Sequence, residues 1–221
     1  MSTILSLINE YLTIIKIKIR SYRLNSPPPH WRRGTRGDIL LIHGWNETWS
    51  YLLEVGNLMN SLGYTVHTID SIGRNHSHIY VAAQKVNDYI LSNNLNDLIL
   101  ICHSKGGMVA KAVIDRYPAG ANIKQAITIA TPFNGSKWGY LRIWSLADLI
   151  PGSEFILSFN ENKQNQKITS IRVRVDNHVI PFDSPILPNA HNIELPIVGH
   201  TSVLESEELM KTLERLVRPP R

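Results

Sequence analysis

One cysteine, at position 102, stands in a chain of 221 residues, so no internal disulfide and no cysteine-ligated metal cluster can form. Nothing therefore demands an oxidising compartment. Internal repeats and low-complexity tracts are also missing, which sets aside solenoids, propellers and disordered arrays. The sequence lacks zinc-finger spacing, a basic recognition helix and an aromatic strand suited to base stacking. Its net charge of +5 is scattered except near the N-terminus, so nucleic acid is not an expected partner. With 43% hydrophobic and 19% charged residues, the composition is that of an ordinary globular chain with one sizeable core.

No apolar run is long and uncharged enough to span a bilayer. The nearest approach is "MSTILSLINEYLTIIKIKIRSYRLNSPPP", residues 1–29. Glu10 interrupts it, the cations Lys16, Lys18, Arg20 and Arg23 follow the apolar part, and no small-residue cleavage site appears, the reverse of a secretory leader. The spacing predicts an amphipathic helix with Ile4, Leu5, Ile8, Tyr11, Leu12, Ile15 and Ile19 on one side. Two destinations are open for that side: the protein's own core or a partner subunit, or a membrane surface with the lysines toward lipid phosphates. The triple proline at 27–29 ends the element. Together these features predict a cytoplasmic chain with peripheral membrane contact as its one alternative.

From residue 30 onward, short apolar runs alternate with helical patterns. "DILLIH", "TVHTID", "LILICHS", "KQAITIATP" and "ITSIRVRVD" read as strands. Between and after them, residues 49–64, 79–94, 106–120 and 206–218 read as helices. Such alternation predicts an α/β fold, a mostly parallel sheet with helices on both faces, occupying residues 30–221. Reactive groups in such sheets gather at the carboxyl ends of the strands, and the runs end in His43-Gly44, Asp70, His103-Ser104, Thr131 and Asp176.

The five-residue apolar run Leu98 to Cys102 gives way to His103-Ser104 and at once to Lys105-Gly106-Gly107. A strand that turns sharply into a helix presents its serine on a strained elbow, with small residues two before and two after; here these are Cys102 and Gly106. A serine hydroxyl needs a base to become a nucleophile, and the base needs an acid to orient it. His200, after "ELPIVG", and Asp176, at the end of a strand-like run, supply both in the expected chain order. Asp183 in "PFDSP" is the rival acid, and His103 should point away along the elbow. The amides of Lys105 and of Trp45, in the glycine-opened loop "HGWNETW", are the expected donors to a developing oxyanion. His76-Ser77-His78 has no carboxylate or cysteine at ligand spacing, so no metal and no cofactor is expected.

These residues resemble the α/β-hydrolase family, in particular its bacterial lipase and esterase branch. "LLIHGW" resembles the oxyanion strand and loop, "CHSKGG" the elbow, "TIATPFNGS" the segment after the next strand, and "VDNHVIP" with "VGHTSVL" the acid and histidine loops. The resemblance spans residues 38 to about 205 and departs from the family at Cys102, at Lys105 and in the N-terminal helix. It implies a serine hydrolase working through Ser104, His200 and Asp176 on an acyl ester or lipid. A small cap, residues 136–166, is expected to offer Trp138, Tyr140, Leu141, Ile143, Trp144 and Leu146 as an acyl-binding wall, although these side chains would equally complete a core. Thioesterase or acyltransferase chemistry on the same residues, or a silent membrane-associated binding module, are the other readings.

Overall fold

A computed structural model describes residues 3–160 and 163–218. Six strands, β1 (Asp38–Ile42), β2 (Thr65–Thr68), β3 (Leu98–His103), β4 (Ile123–Ile129), β5 (Ile168–Val175) and β6 (His191–Val198), form one sheet in the order β2-β1-β3-β4-β5-β6. Every pairing is parallel. The helices are α1 (Thr3–Arg23), α2 (Leu53–Ser61), α3 (Ile79–Ser92), α4 (Lys105–Arg116), α5 (Glu154–Asn160) and α6 (Glu207–Val217). The predicted α/β class is therefore the observed one.

The apolar runs are continuous because the central strands are buried on both faces. Alternate side chains divide between two cores: Leu40, Ile42, Leu98, Leu100 and Cys102 pack with α3 and α4, whereas Ile39, Leu41, Ile99 and Ile101 pack with α2 and α6. Cys102 is a buried packing residue whose thiol is pushed upward in pKa by burial. Strand β6 has no counterpart among the strands expected from the sequence. Of its eight residues only Leu195 is buried, and Pro196 interrupts its donors, as an edge strand tolerates.

The predicted N-terminal helix forms, but its apolar side does not pack on the protein's own core. Leu5, Ile8, Tyr11, Leu12, Ile15 and Ile19 are 48–61% exposed, while Glu10, Thr13, Ile17 and Ser21 on the opposite side are buried. The side chain of Ile4 lies outside the described residues. Specific polar partners fix this orientation. The Glu10 carboxylate accepts the amides of Thr201 and Ser202, and Arg20 reaches Glu205 at 3.1 Å and Glu54 at 3.4 Å. Ile17 joins the core beneath.

Residues 136–166 hold two short 3-10 turns, Lys137–Leu141 and Trp144–Leu149, then α5 and the start of a third 3-10 turn, Lys163–Lys167; residues 161 and 162 lie outside the description. Leu146, Leu149, Ile156 and Phe159 join the α3–α4 core.

Helix α4 begins hard against the sheet. A Cβ on Gly106 would fall 2.3 Å from the carbonyl oxygen of Ile42, and one on Gly107 would fall 2.1 Å from Thr131 Oγ1. Gly106→Ala therefore has to push α4 off β1. The expected cost is about 2 kcal/mol, seen as a thermal midpoint lowered by roughly 4–8 °C for a chain of this size when unfolding is followed by circular dichroism.

Candidate active site

The chain leaves β1 for one side of the sheet and returns through β3 on the other, so a crevice opens at the carboxyl ends of these two strands. Ser104 sits there, between β3 and α4, with φ +50° and ψ −127°. That backbone is strained for a residue with a Cβ, and three bonds hold it. The Ser104 amide donates to Ile129 O at 2.8 Å, and its carbonyl accepts from Thr131 Oγ1 at 2.9 Å and from the Gly107 amide at 3.0 Å. Thr131, noted in the sequence only as a strand end, thus buttresses the elbow.

His200 follows β6. Its Nδ1 donates to Asp176 Oδ2 at 2.9 Å, both residues being buried. Asp176 Oδ1 accepts the amides of His178 and Val179, each at 2.8 Å, which fixes the carboxylate at the end of β5. The rival Asp183 is exposed, at the start of a turn closed by Ile186. Burial by itself would push the Asp176 carboxyl up, but His200, its hydrogen bond and the two amides hold it below the usual carboxylate range. Burial would likewise push His200 down, yet Asp176 first, then Glu47 and Glu10, hold it above the ordinary imidazole value.

Glu10 and Glu47 join the site without a signal in the sequence, because the amides that Glu10 meets and the imidazole that Glu47 meets lie far along the chain. Glu10 Oε1 accepts the Thr201 amide at 2.9 Å and Oε2 the Ser202 amide at 2.7 Å, which pins the turn just after His200. Glu47 Oε2 accepts the Gly44 amide at 2.7 Å, and Oε1 meets His103 Nδ1 at 2.8 Å. His103 Nε2 faces the carbonyl of His200 at 3.1 Å. His103 thus points beneath the site and links the β1 loop, the elbow and the histidine loop.

A pocket of about 310 Å³ opens over this constellation. Ser104 and His200 both line it, together with Trp45, Lys105, Trp138 and Leu146 from the sequence reading. Tyr140, Leu141, Ile143 and Trp144 do not; they are 45–62% exposed, and Trp144 stacks on His76 with ring centroids 4.3 Å apart. In a 3-10 turn, residues three apart share a face, so Leu146 and Leu149 point inward together while Trp144 turns out. Ile14, Tyr51, Pro132 and Val179 complete the apolar wall. Ile14 comes from the inward side of α1.

The amides flanking Trp45 are engaged, Gly44 with Glu47 and Asn46 with Arg74 O at 2.8 Å, but among the described residues no acceptor meets the Trp45 amide. The Lys105 amide, first in α4, has no partner within the helix. The Lys105 ammonium is turned away, donating to Asn75 O at 2.9 Å, to Ser77 O and to Ser145 Oγ at 2.6 Å. Burial pushes its pKa down to about 8. His178, at the pocket wall, is pushed down to about 4 by burial and by the nearby His200.

Two groups have ligand atoms close enough to share an ion, Glu47 with His103 and His200, and Asp176 with His178 and His200. In both, carboxylate and imidazole already hydrogen-bond each other, so an ion would have to displace those bonds. His76 and His78 diverge, His78 meeting Asp148 at 2.8 Å.

Residues 33–180 match the family described as serine aminopeptidase, S33. No curated protein matches the sequence. Among solved structures, the mature form of Bacillus licheniformis lipase BlEst2 superposes with a TM-score of 0.70 at 16% identity, over 89% of this chain and 96% of that one. Aspergillus fumigatus lipase B gives 0.69 at 17% identity, over 80% and 52% respectively. An extracellular α/β-hydrolase from a Paenibacillus species gives 0.56 at 17% identity, over 81% and 97%. At these identities the likeness establishes a shared fold.

The opposite shifts of Asp176 and His200 give the pair opposite pH limits. The stability contributed through Asp176 is complete above the ordinary carboxylate range and is lost as the pH falls through its lowered folded value. That contributed through His200 is complete below the ordinary imidazole value and is lost as the pH rises through its raised one. In Asp176→Asn the acid-side loss should shrink, and the His200 ring protons, followed by NMR, should titrate at lower pH than in the native chain.

Proposed function

The chain belongs to the hydrolase family described as serine aminopeptidase, S33, and from that premise we propose that it is a serine carboxylesterase or lipase acting on acyl esters. The observation that carries this reading is the strained Ser104 elbow sharing one apolar pocket with His200, whose ring is bonded to Asp176. Residues 30–221 then form the hydrolase domain, with residues 136–166 as its cap. Two of the superposing structures are lipases by name, which agrees with this choice of bond.

In the proposed reaction, Ser104 Oγ attacks the ester carbonyl carbon and its proton passes to His200 Nε2, while Asp176 stabilises the imidazolium. The oxyanion accepts from the Trp45 and Lys105 amides, aided by the positive end of α4. Collapse of the tetrahedral intermediate breaks the ester C–O bond, and the departing alkoxide takes the proton from His200. Water, deprotonated by His200, then releases the acid and restores Ser104.

The pocket wall favours an acyl chain over the N-terminus of a peptide. A substrate ammonium needs a carboxylate, and among the described lining residues the only one is Glu47, already bonded to His103 and Gly44. Lys18 on the same wall would repel it.

Ser104→Ala should abolish hydrolysis of p-nitrophenyl esters and labelling by a fluorophosphonate, and Asp176→Asn should lower turnover by about 10³–10⁴-fold. Activity should rise with pH as His200 loses its proton, on a limb placed above the ordinary imidazole value. Faster cleavage of an aminoacyl p-nitroanilide than of any ester in the series would overturn the choice of bond. A native chain that neither turns over nor labels would leave a binding module.

A further inference from the structure

Helix α1 is held to the protein by its polar side and presents its apolar side to solvent. Leu5, Ile8, Leu12, Ile15 and Ile19 fall within an arc of about 80° and are each about half exposed or more. The exposed rings of Tyr11 and Tyr22 border this row on one flank. The helix cannot roll to cover it. Glu10 is bonded to the turn after His200, and Lys16 and Arg20 are bonded to Glu205 on the inward flank. The margins are cationic: Lys18 lies on one side of the row and Arg23 on the other, both exposed, and among the described residues neither makes an ion pair.

An apolar row bordered by tyrosines and cations matches a lipid interface, where acyl chains take the row, the headgroup layer takes the rings and anionic phosphates take the cations. The row is also placed for a purpose. Ile14 and Lys18 of the same helix line the pocket that holds Ser104 and His200, so whatever lies along α1 lies beside the pocket mouth. Among the described residues no helix is long and apolar enough to cross a membrane, so contact would be in the plane of the surface.

We propose that α1 docks this protein on an anionic lipid surface, with the row from Leu5 to Ile19 among the acyl chains, Lys18 and Arg23 toward the phosphates, and the pocket mouth at that surface. That the surface also supplies the acyl substrate rests on the esterase reading; docking does not.

The test uses the full chain carrying Ser104→Ala, so that no lipid is consumed, and co-sedimentation with vesicles. Binding is expected to phosphatidylglycerol mixed with phosphatidylcholine, and to weaken in phosphatidylcholine alone and in high salt. Replacing Ile8, Leu12 and Ile15 together by serine should lower the partition coefficient at least about tenfold and leave the thermal midpoint unchanged. Arg23→Glu, which leaves the row intact, should weaken binding to the anionic vesicles alone. The proposal is overturned if the Ser104→Ala chain stays in the supernatant, or if the serine and Arg23→Glu variants sediment as it does. It is equally overturned if light scattering finds a dimer that the serine variant dissociates, since the row would then belong to a second copy. Because the readout is binding, failure of the esterase reading leaves the result intact.

Discussion

Three carboxylates are buried around one imidazole, and the geometry of the site depends on each having found its partner. An unpaired buried charge costs several kcal/mol, so Glu10, Glu47 and Asp176 can exist where they do only with their hydrogen bonds made. Asp176 takes the ring of His200, Glu10 the amides of the two following residues, and Glu47 the ring of His103, which in turn meets the carbonyl of His200. The histidine loop is thereby held from its side chain, from its amides and from its carbonyl. Five segments, α1, the β1 loop, the elbow, the β5 loop and the β6 loop, are tied at one point.

The negative charge gathered there also sets the chemistry. All three carboxylates favour the protonated imidazole, the state that the proposed reaction requires while His200 holds the serine proton. The elbow contributes the opposite polarity, since α4 begins directly after Ser104 and brings the positive end of its dipole to the serine, where the proposed reaction develops its oxyanion. Lys105 shows how a departure from a family pattern is absorbed. Its ammonium is bonded to carbonyl and hydroxyl acceptors that join the elbow to residues 75–77 and to the second 3-10 turn.

What could be read from the sequence was what is encoded locally. The buried strands announce themselves because parallel strands covered on both faces are apolar without interruption, and Ser104, Asp176 and His200 stand out as candidates because each lies at the end of such a run or just before a helix. Strand β6 escaped because an edge strand needs little burial; Pro196 and its polar neighbours read as loop. Glu10 escaped because a carboxylate that caps amides 191 and 192 positions away leaves no spacing to recognise, and Glu47 because its ring partner, His103, stands 56 positions on. Tyr140, Leu141, Ile143 and Trp144 were assigned to the pocket by composition, and the short 3-10 turns send them outward instead. The apolar side of α1 was recognised correctly, while its direction was decided by polar contacts that periodicity does not report.

The Glu10 clamp also fixes an order of assembly. Its acceptor oxygens and the amides they hold are separated by 191 and 192 positions in the chain. A ribosome adding about 5–20 residues per second makes α1 on the order of 10–40 s before residues 201 and 202 exist. Helix α1 thus exists throughout that interval without the turn that holds it, and until residues 201 and 202 are made the Glu10 carboxylate has neither amide to accept from.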